Sequence, residues 1–224
     1  IGSTNLTTDA TSNAVFLISL PVTNLPGRFV SATATDPSSN TSEFATNAAA
    51  FSTATGKNFV VINTNDSGPG SLRQAIDNAN AVITTGDTIT FNITNAGPKI
   101  IALTSPLPVI ADTLSIDAFT QPGASPNTLT NGHNATLLVR LDGANAGAGA
   151  DGFRVSGTGC LIRGLAITRF NGDGVKFTAG VTNRLEGCYI GLDLDGATVL
   201  GNGSNGVEIV TNATGTVIGG ITPA

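Results

Sequence analysis

Asp151-Gly-Phe-Arg-Val155, Asp173-Gly-Val-Lys-Phe177 and Asn205-Gly-Val-Glu-Ile209 are three versions of one segment. Each is followed by a second matching segment: Leu161-Ile-Arg-Gly164, Arg184-Leu-Glu-Gly187 and Thr216-Val-Ile-Gly219. The first two copies lie 22 residues apart and the next two 32, the longer step holding a Gly/Asn-rich run around residues 193–204. A period of about 20 to 30 residues, with Gly turns and short β-branched runs, signals a stacked solenoid. Each repeat reads as one coil of a parallel β-helix, which is first an extended scaffold and only sometimes an enzyme.

Aligning the copies predicts which side chains stack. Phe153, Val175 and Val207 fall in one ladder, Val155, Phe177 and Ile209 in another, and Ile162, Leu185 and Val217 in a third. Strands about 4.8 Å apart make these ladders the apolar core. Arg154, Lys176 and Glu208 then line an outer face, and Arg163 sits over Glu186 as an exposed ion pair of modest worth. Asp151 stacks on Asp173, with Asn205 next. Two carboxylates at one-strand spacing can bind Ca²⁺ or work as an acid/base pair. Asp-Gly equally opens a turn, the carboxylate bonding backbone and the Gly taking a positive φ. Asn in the third copy serves that turn and serves catalysis poorly, which favours the turn.

The 224 residues allow one large domain or two smaller ones. Only 11% are charged, 28 are Gly, and Met and Trp are absent, a composition for tight coils and not for helical bundles. A net charge of −5 with ten scattered basic residues leaves no electrostatic footprint for nucleic acid. No apolar run approaches a membrane-spanning length and no signal peptide is visible. The first residue, Ile1, suggests a processed or excerpted piece of a longer polypeptide. Cys160 aligns with Asn183 and Cys188 with Leu165, out of register for a disulfide; Cys188 reads as a small core hydrophobe. Seven Asn-x-Ser/Thr sequons carry little weight in a chain so rich in Asn and Thr.

Residues 1–50 read differently. Ala14-Val-Phe-Leu-Ile-Ser-Leu-Pro-Val22 and Arg28-Phe-Val-Ser-Ala-Thr-Ala-Thr-Asp36 alternate apolar and small polar residues, as half-buried antiparallel strands do. Residues 45–57 read as a small-residue linker. In Ser71-Leu-Arg-Gln74 a capping box opens a helix near 71–80, whose stripe of Leu72, Ala75, Ile76 and Ala79 suits it to cover the open first coil. Strand-like runs follow at 87–93, 99–103, 107–110, 113–117 and 137–142, and with the repeats they predict five or six coils. The final coil is expected to lack a cap and to continue into more protein.

Two stretches carry family resemblances. Ala34-Thr-Asp-Pro-Ser-Ser-Asn-Thr-Ser-Glu-Phe44 resembles the closing segment of a bacterial Ig-like β-sandwich. Asn63-Thr-Asn-Asp-Ser-Gly-Pro-Gly-Ser-Leu-Arg-Gln-Ala-Ile76, with Gly86-Asp-Thr-Ile-Thr-Phe91, Leu107-Pro-Val-Ile110 and Ile116-Asp-Ala-Phe-Thr-Gln-Pro-Gly123, is similar to the right-handed parallel β-helix repeat proteins of bacterial surfaces and secretions. These share the pectin-lyase-like fold. The family pattern has Gly where this chain has Ala118. The resemblance, over about residues 57–220, implies adhesive or structural roles.

Few residues offer chemistry. Asp193-Leu-Asp195-Gly196 places alternate carboxylates on one side, so Asp193 and Asp195 are the candidate ligands of a weak Ca²⁺ site, although the rest of an EF-hand loop is missing. The lone His133, in a polar loop, reads as solvated. Nucleophile elbow, P-loop, Rossmann and zinc spacings are absent. Glycan platforms are scarce, with one Tyr, Tyr189, within a coil strand. Arg140, Arg154 and Arg163 are candidate lyase bases, but no acidic cluster converges with them in the repeat register.

The reading is thus an all-β chain: residues 1–50 a partial antiparallel sandwich, residues 51–224 a right-handed parallel β-helix with its capping helix. Its expected function is a non-enzymatic structural module of an extracellular or cell-surface tandem-repeat protein, forming a fibre, filament or adhesin. Its partners are other copies or adjacent repeats, head to tail, with no cofactor required, and strands near 14–36 are expected to pair outside residues 1–224. The alternative is a polysaccharide-binding or polysaccharide-degrading module.

Overall fold

The computed structural model describes residues 29–30, 48–49, 56–81 and 86–220, and its internal packing divides the chain into Ile1–Ser52 and Thr53–Ala224. Within the first unit, β1 (Phe29–Val30) pairs antiparallel with β2 (Ala48–Ala49), Phe29 opposite Ala49. This corrects one expectation, since Ala48–Ala49 is strand and not linker; it also gives Phe29–Val30 one neighbour inside the chain. The other segments expected to form the sandwich, among them residues 14–22, lie outside the described residues.

Among its described residues the second unit is mostly strand, in parallel sheets, with one short α-helix. A six-stranded sheet joins β3 (Asn58–Val61), β4 (Asp87–Phe91), β6 (Leu114–Asp117), β9 (Leu161–Arg163), β12 (Arg184–Glu186) and β15 (Val217–Ile218). A four-stranded sheet joins β5 (Lys99–Ala102), β7 (Val139–Asp142), β10 (Leu165–Thr168) and β13 (Tyr189–Ile190). A three-stranded sheet joins β8 (Phe153–Val155), β11 (Val175–Phe177) and β14 (Val207–Ile209), and Ile110 extends it by bridging to Val155. The chain visits the three sheets in a fixed order. Six strands stack in the longest sheet, and from β4 to β14 the chain passes four times through all three levels, Ile110 standing for the third in the first pass; β3 and β4 are neighbours in one sheet with the helix as their crossover.

The predicted ladders are present in the three-stranded sheet. Val175 faces Phe153 and Val207, Phe177 faces Val155 and Ile209, and Lys176 faces Arg154 and Glu208. Phe153, Val155, Val175 and Phe177 are fully buried, each stabilising the fold by about 1.5–3 kcal/mol. The third ladder slips in its last step: Leu185 faces Ile162 on one side but Ile218, not Val217, on the other. The cause is a longer connection, residues 210–213 between β14 and the Val181–Thr214 bridge level against 178–180 in the previous round.

Helix α1 (Leu72–Asn80) begins where Ser71 Oγ accepts the Gln74 N–H at 3.2 Å. The box is half formed, since the Gln74 side chain donates to Asn78 at 2.9 Å instead of reaching back. Leu72, Ala75, Ile76 and Ala79 are buried in the common core, against β3 and β4. Asp66 and Arg73 lock the helix in place. Asp66 accepts from Arg73 Nη2 at 2.8 Å and from Thr104 Oγ1 at 2.7 Å, while Arg73 also donates to the Ser105 carbonyl at 2.9 Å. Among the described residues no helix is long and apolar enough to cross a membrane.

Further along, Thr120 and Gln121 extend the backbone ladder after β6 ends. Thr120 Oγ1 accepts the Phe91 N–H at 2.8 Å, and buried Gln121 accepts from Ile93 N at 2.9 Å and donates to its carbonyl at 3.0 Å. An amide side chain copies the pattern of a strand where no strand runs.

Candidate functional site

Three polar constellations line the sheets. The first is the turn ladder. Asp151 Oδ1 accepts the Asp173 N–H at 2.9 Å, and Asp173 Oδ1 accepts the N–H of Asn205 at 2.8 Å and its Nδ2 at 3.0 Å. Each carboxylate thus serves the backbone of the round that follows it. The carboxylates bond backbone as expected, but Gly152 and Gly174 do not take the expected positive φ. They are Gly because the rounds approach too closely: a Cβ on Gly152 would sit 2.3 Å from the Gly174 carbonyl oxygen. The left-handed positions are Gly164, Gly187 and Gly219, which end β9, β12 and β15.

Asp173 is 3% exposed and also meets Lys176 Nζ at 3.4 Å, while Lys176 pairs with Glu208. Burial opposes ionisation of Asp173. The Asn205 N–H, Ser204 and the remaining hydrogen bonds outweigh it and hold the carboxyl at about 2. An always-ionised, fully bonded carboxylate is a structural anchor and a poor proton carrier at neutral pH.

On the six-stranded sheet, Arg163 lies in register with Glu186 as expected, but its ion pair is with Asp117, at 2.7 Å on the other side. Glu186 pairs instead with Arg184 of its own strand. Two residues apart on a strand, their side chains share a face.

The third constellation is the densest, and its acidic groups reach Arg140 from its own strand and from a loop, outside the repeat register. On the face of β7 opposite the core, Arg140 Nη1 meets Asp193 at 2.7 Å and Nη2 meets Asp142 at 3.3 Å. Arg169 grips Asp142 from the next round, Nε to Oδ1 at 3.0 Å with a second contact to Oδ2. To do so Arg169 takes φ 59°, a left-handed conformation costing about 1–3 kcal/mol in a non-Gly residue. Burial raises the Asp142 carboxyl, but the hydrogen bonds from Arg169 and the Ala144 N–H and the charges of both arginines hold it below its ordinary range. Two loops reach over this face. One carries His133, whose ring lies 5.4 Å from that of Tyr189 in β13; the other, 192–200, brings Asp193 to Arg140 and Gly196 against Tyr189. His133 is therefore in contact with an aromatic ring, though exposed.

Asp193 and Asp195 have separate employments. Asp193 pairs with Arg140. Asp195 accepts from Ala197 N at 2.9 Å and from Thr198 N and Oγ1 at 2.8 and 2.6 Å, and these bonds hold it at about 2. Among the described residues no group of three or more His, Cys, Asp or Glu is arranged to hold a metal ion. Cys160 and Cys188 are both free thiols. Cys160 is buried, its N–H bonded to Asn183 at 2.8 Å as the alignment implies.

Asp142 shares a face with Arg140, two residues away on one strand, and that spacing was readable in the sequence. Arg169 and Asp193 join only through a left-handed residue and a folded-back loop, for which the repeats give no signal. Chemically, the cluster fastens the 192–200 loop and the turn at Arg169 to the sheet, and each of its four charges already has an opposite partner. No family model, curated protein or solved structure matches this chain.

Proposed function

We propose that this chain is a structural module: a right-handed parallel β-helix in an extracellular or cell-surface tandem-repeat protein, continued head to tail by adjacent repeats or other copies into a fibre, filament or adhesin. The fixed order in which the chain visits its three parallel sheets supports the β-helix. The observation that carries the function is an apolar step at β14 and β15. Phe177 and Leu185 are 0% and 2% exposed, whereas Ile209 and Ile218, stacked on them, are 43% and 52% exposed. Core ladders that surface in this way fit the next coil of a like module, which adds strands to the open edges and buries the row. A heterologous contact of that kind propagates instead of closing.

Sedimentation at rising protein concentration, with electron microscopy of the pelleted material, tests this. Wild-type protein should assemble, and Ile209→Lys with Ile218→Lys should stop assembly without changing the far-ultraviolet circular dichroism. Protein that stays monomeric at the highest attainable concentration defeats the filament reading. A polysaccharide-binding or polysaccharide-degrading module is the second reading, favoured by the convergence of Arg140, Arg169, Asp142 and Asp193 on one sheet face. Turnover of pectate or alginate that disappears in Arg140→Ala would put it first.

A further inference from the structure

The chain contains four Asn-Gly pairs, at Asn131, Asn171, Asn202 and Asn205. In this dipeptide the following backbone nitrogen is unhindered and can attack the side-chain amide. Whether it does depends on how firmly both groups are held. Asn171 Oδ1 accepts from Gly149 N at 2.6 Å, and Gly172 N donates to the Ala150 carbonyl at 2.8 Å. Asn202 accepts from Phe170 N at 3.0 Å and donates to the Ile167 carbonyl at 3.3 Å, while Gly203 N is bonded at 2.7 Å. The Asn205 amide is bonded to Asp173.

Asn131 is in the opposite condition. It stands at the tip of a loop whose neck is closed by two backbone hydrogen bonds between Ser125 and Thr136, at 3.0 and 2.8 Å. A second tie above the neck joins Asn134 N to Asn127 Oδ1 at 3.1 Å and Thr128 N to Asn134 Oδ1 at 2.8 Å. Beyond it, Asn131 and Gly132 are exposed, and among the described residues no hydrogen bond holds the Asn131 side chain or the Gly132 N–H. Gly132 has φ +88° with no atom nearer than 3.9 Å to the place of a Cβ.

We propose that Asn131 is a site of self-catalysed deamidation, selected by the fold from the four Asn-Gly pairs. The Gly132 nitrogen bonds to Asn131 Cγ and loses its proton, the Cγ–Nδ2 bond breaks, and ammonia leaves. Water then opens the cyclic imide at either carbonyl, giving aspartate or isoaspartate. The product sets a new negative charge two residues from His133, on the loop that touches Tyr189. The covalent change therefore falls on the loop covering the four-stranded sheet.

Peptide mapping by mass spectrometry, after incubating intact protein in mildly alkaline buffer, reads all four sites at once. In native protein Asn131 should convert at least about tenfold faster than the other three, whose hydrogen bonds must first open. In denaturant the four rates should become comparable. Comparable rates in the native protein overturn the proposal, as does a preference for Asn131 that persists after unfolding, since the fold would then not be its cause.

Discussion

Replacing Asp173 by Asn tests whether the turn ladder is held by charge. The amide oxygen can still accept the Asn205 N–H, so the substitution removes the charge and keeps the shape. In the native protein the carboxyl is held at about 2, against an ordinary 3.8. At about 1.4 kcal/mol for each pKa unit, this depression contributes about 2 kcal/mol to folding. A depressed carboxyl stabilises above its unfolded value, and the contribution is lost as pH falls from about 4 through about 2. Wild type should therefore exceed Asp173→Asn by about 2 kcal/mol at neutral pH, and the gap should close below about pH 2. With a urea slope of about 2 kcal/mol/M, the neutral-pH gap is about 1 M in midpoint. Urea titrations of both proteins across this pH range are the assay. Curves that run parallel at all pH values, or a gap that widens in acid, refute the reasoning.

Asp66→Ala and Arg73→Ala should each cost about 2 kcal/mol in thermal unfolding, and together much less than the sum, because both cut the one lock between helix and loop. Gly152→Ala should cost about 3 kcal/mol, its Cβ meeting a carbonyl that cannot yield, whereas Gly201→Ala, with open space around it, should stay within about 0.5 kcal/mol. Burial pushes the Cys188 thiol up to about 12 and raises that of Cys160 as well. Both should react with a disulfide reagent at neutral pH more slowly in native than in unfolded protein, Cys188 by about a hundredfold.

The stacking of Val175 and Phe177 was legible because a repeated segment must repeat its environment, and the helix stripe because four apolar residues at helical spacing can only bury together. Val217 was misplaced because register after a loop depends on loop length, and the connection at 210–213 is one residue longer than its predecessor. The Gly of Asp-Gly was assigned a positive φ that it does not take: composition distinguishes poorly between a Gly chosen for its dihedral and one chosen because another backbone passes close by. Arg154 and Arg163 were recognised as outward-facing, and Arg140 as a candidate base. Their partners were not, since Asp193 arrives from 53 residues away through a loop that has no counterpart in the other rounds.

The Asp151–Asp173–Asn205 ladder gives the stack a grammar. Each acceptor finds its backbone donor in the round that comes after it, so a round is a sentence closed by the first word of the next. A gene that gains or loses a whole period preserves every such pairing, whereas one cut at mid-period strands a buried carboxylate. The longer connection between Tyr189 and Asn205 is where this chain carries extra residues without breaking the rule.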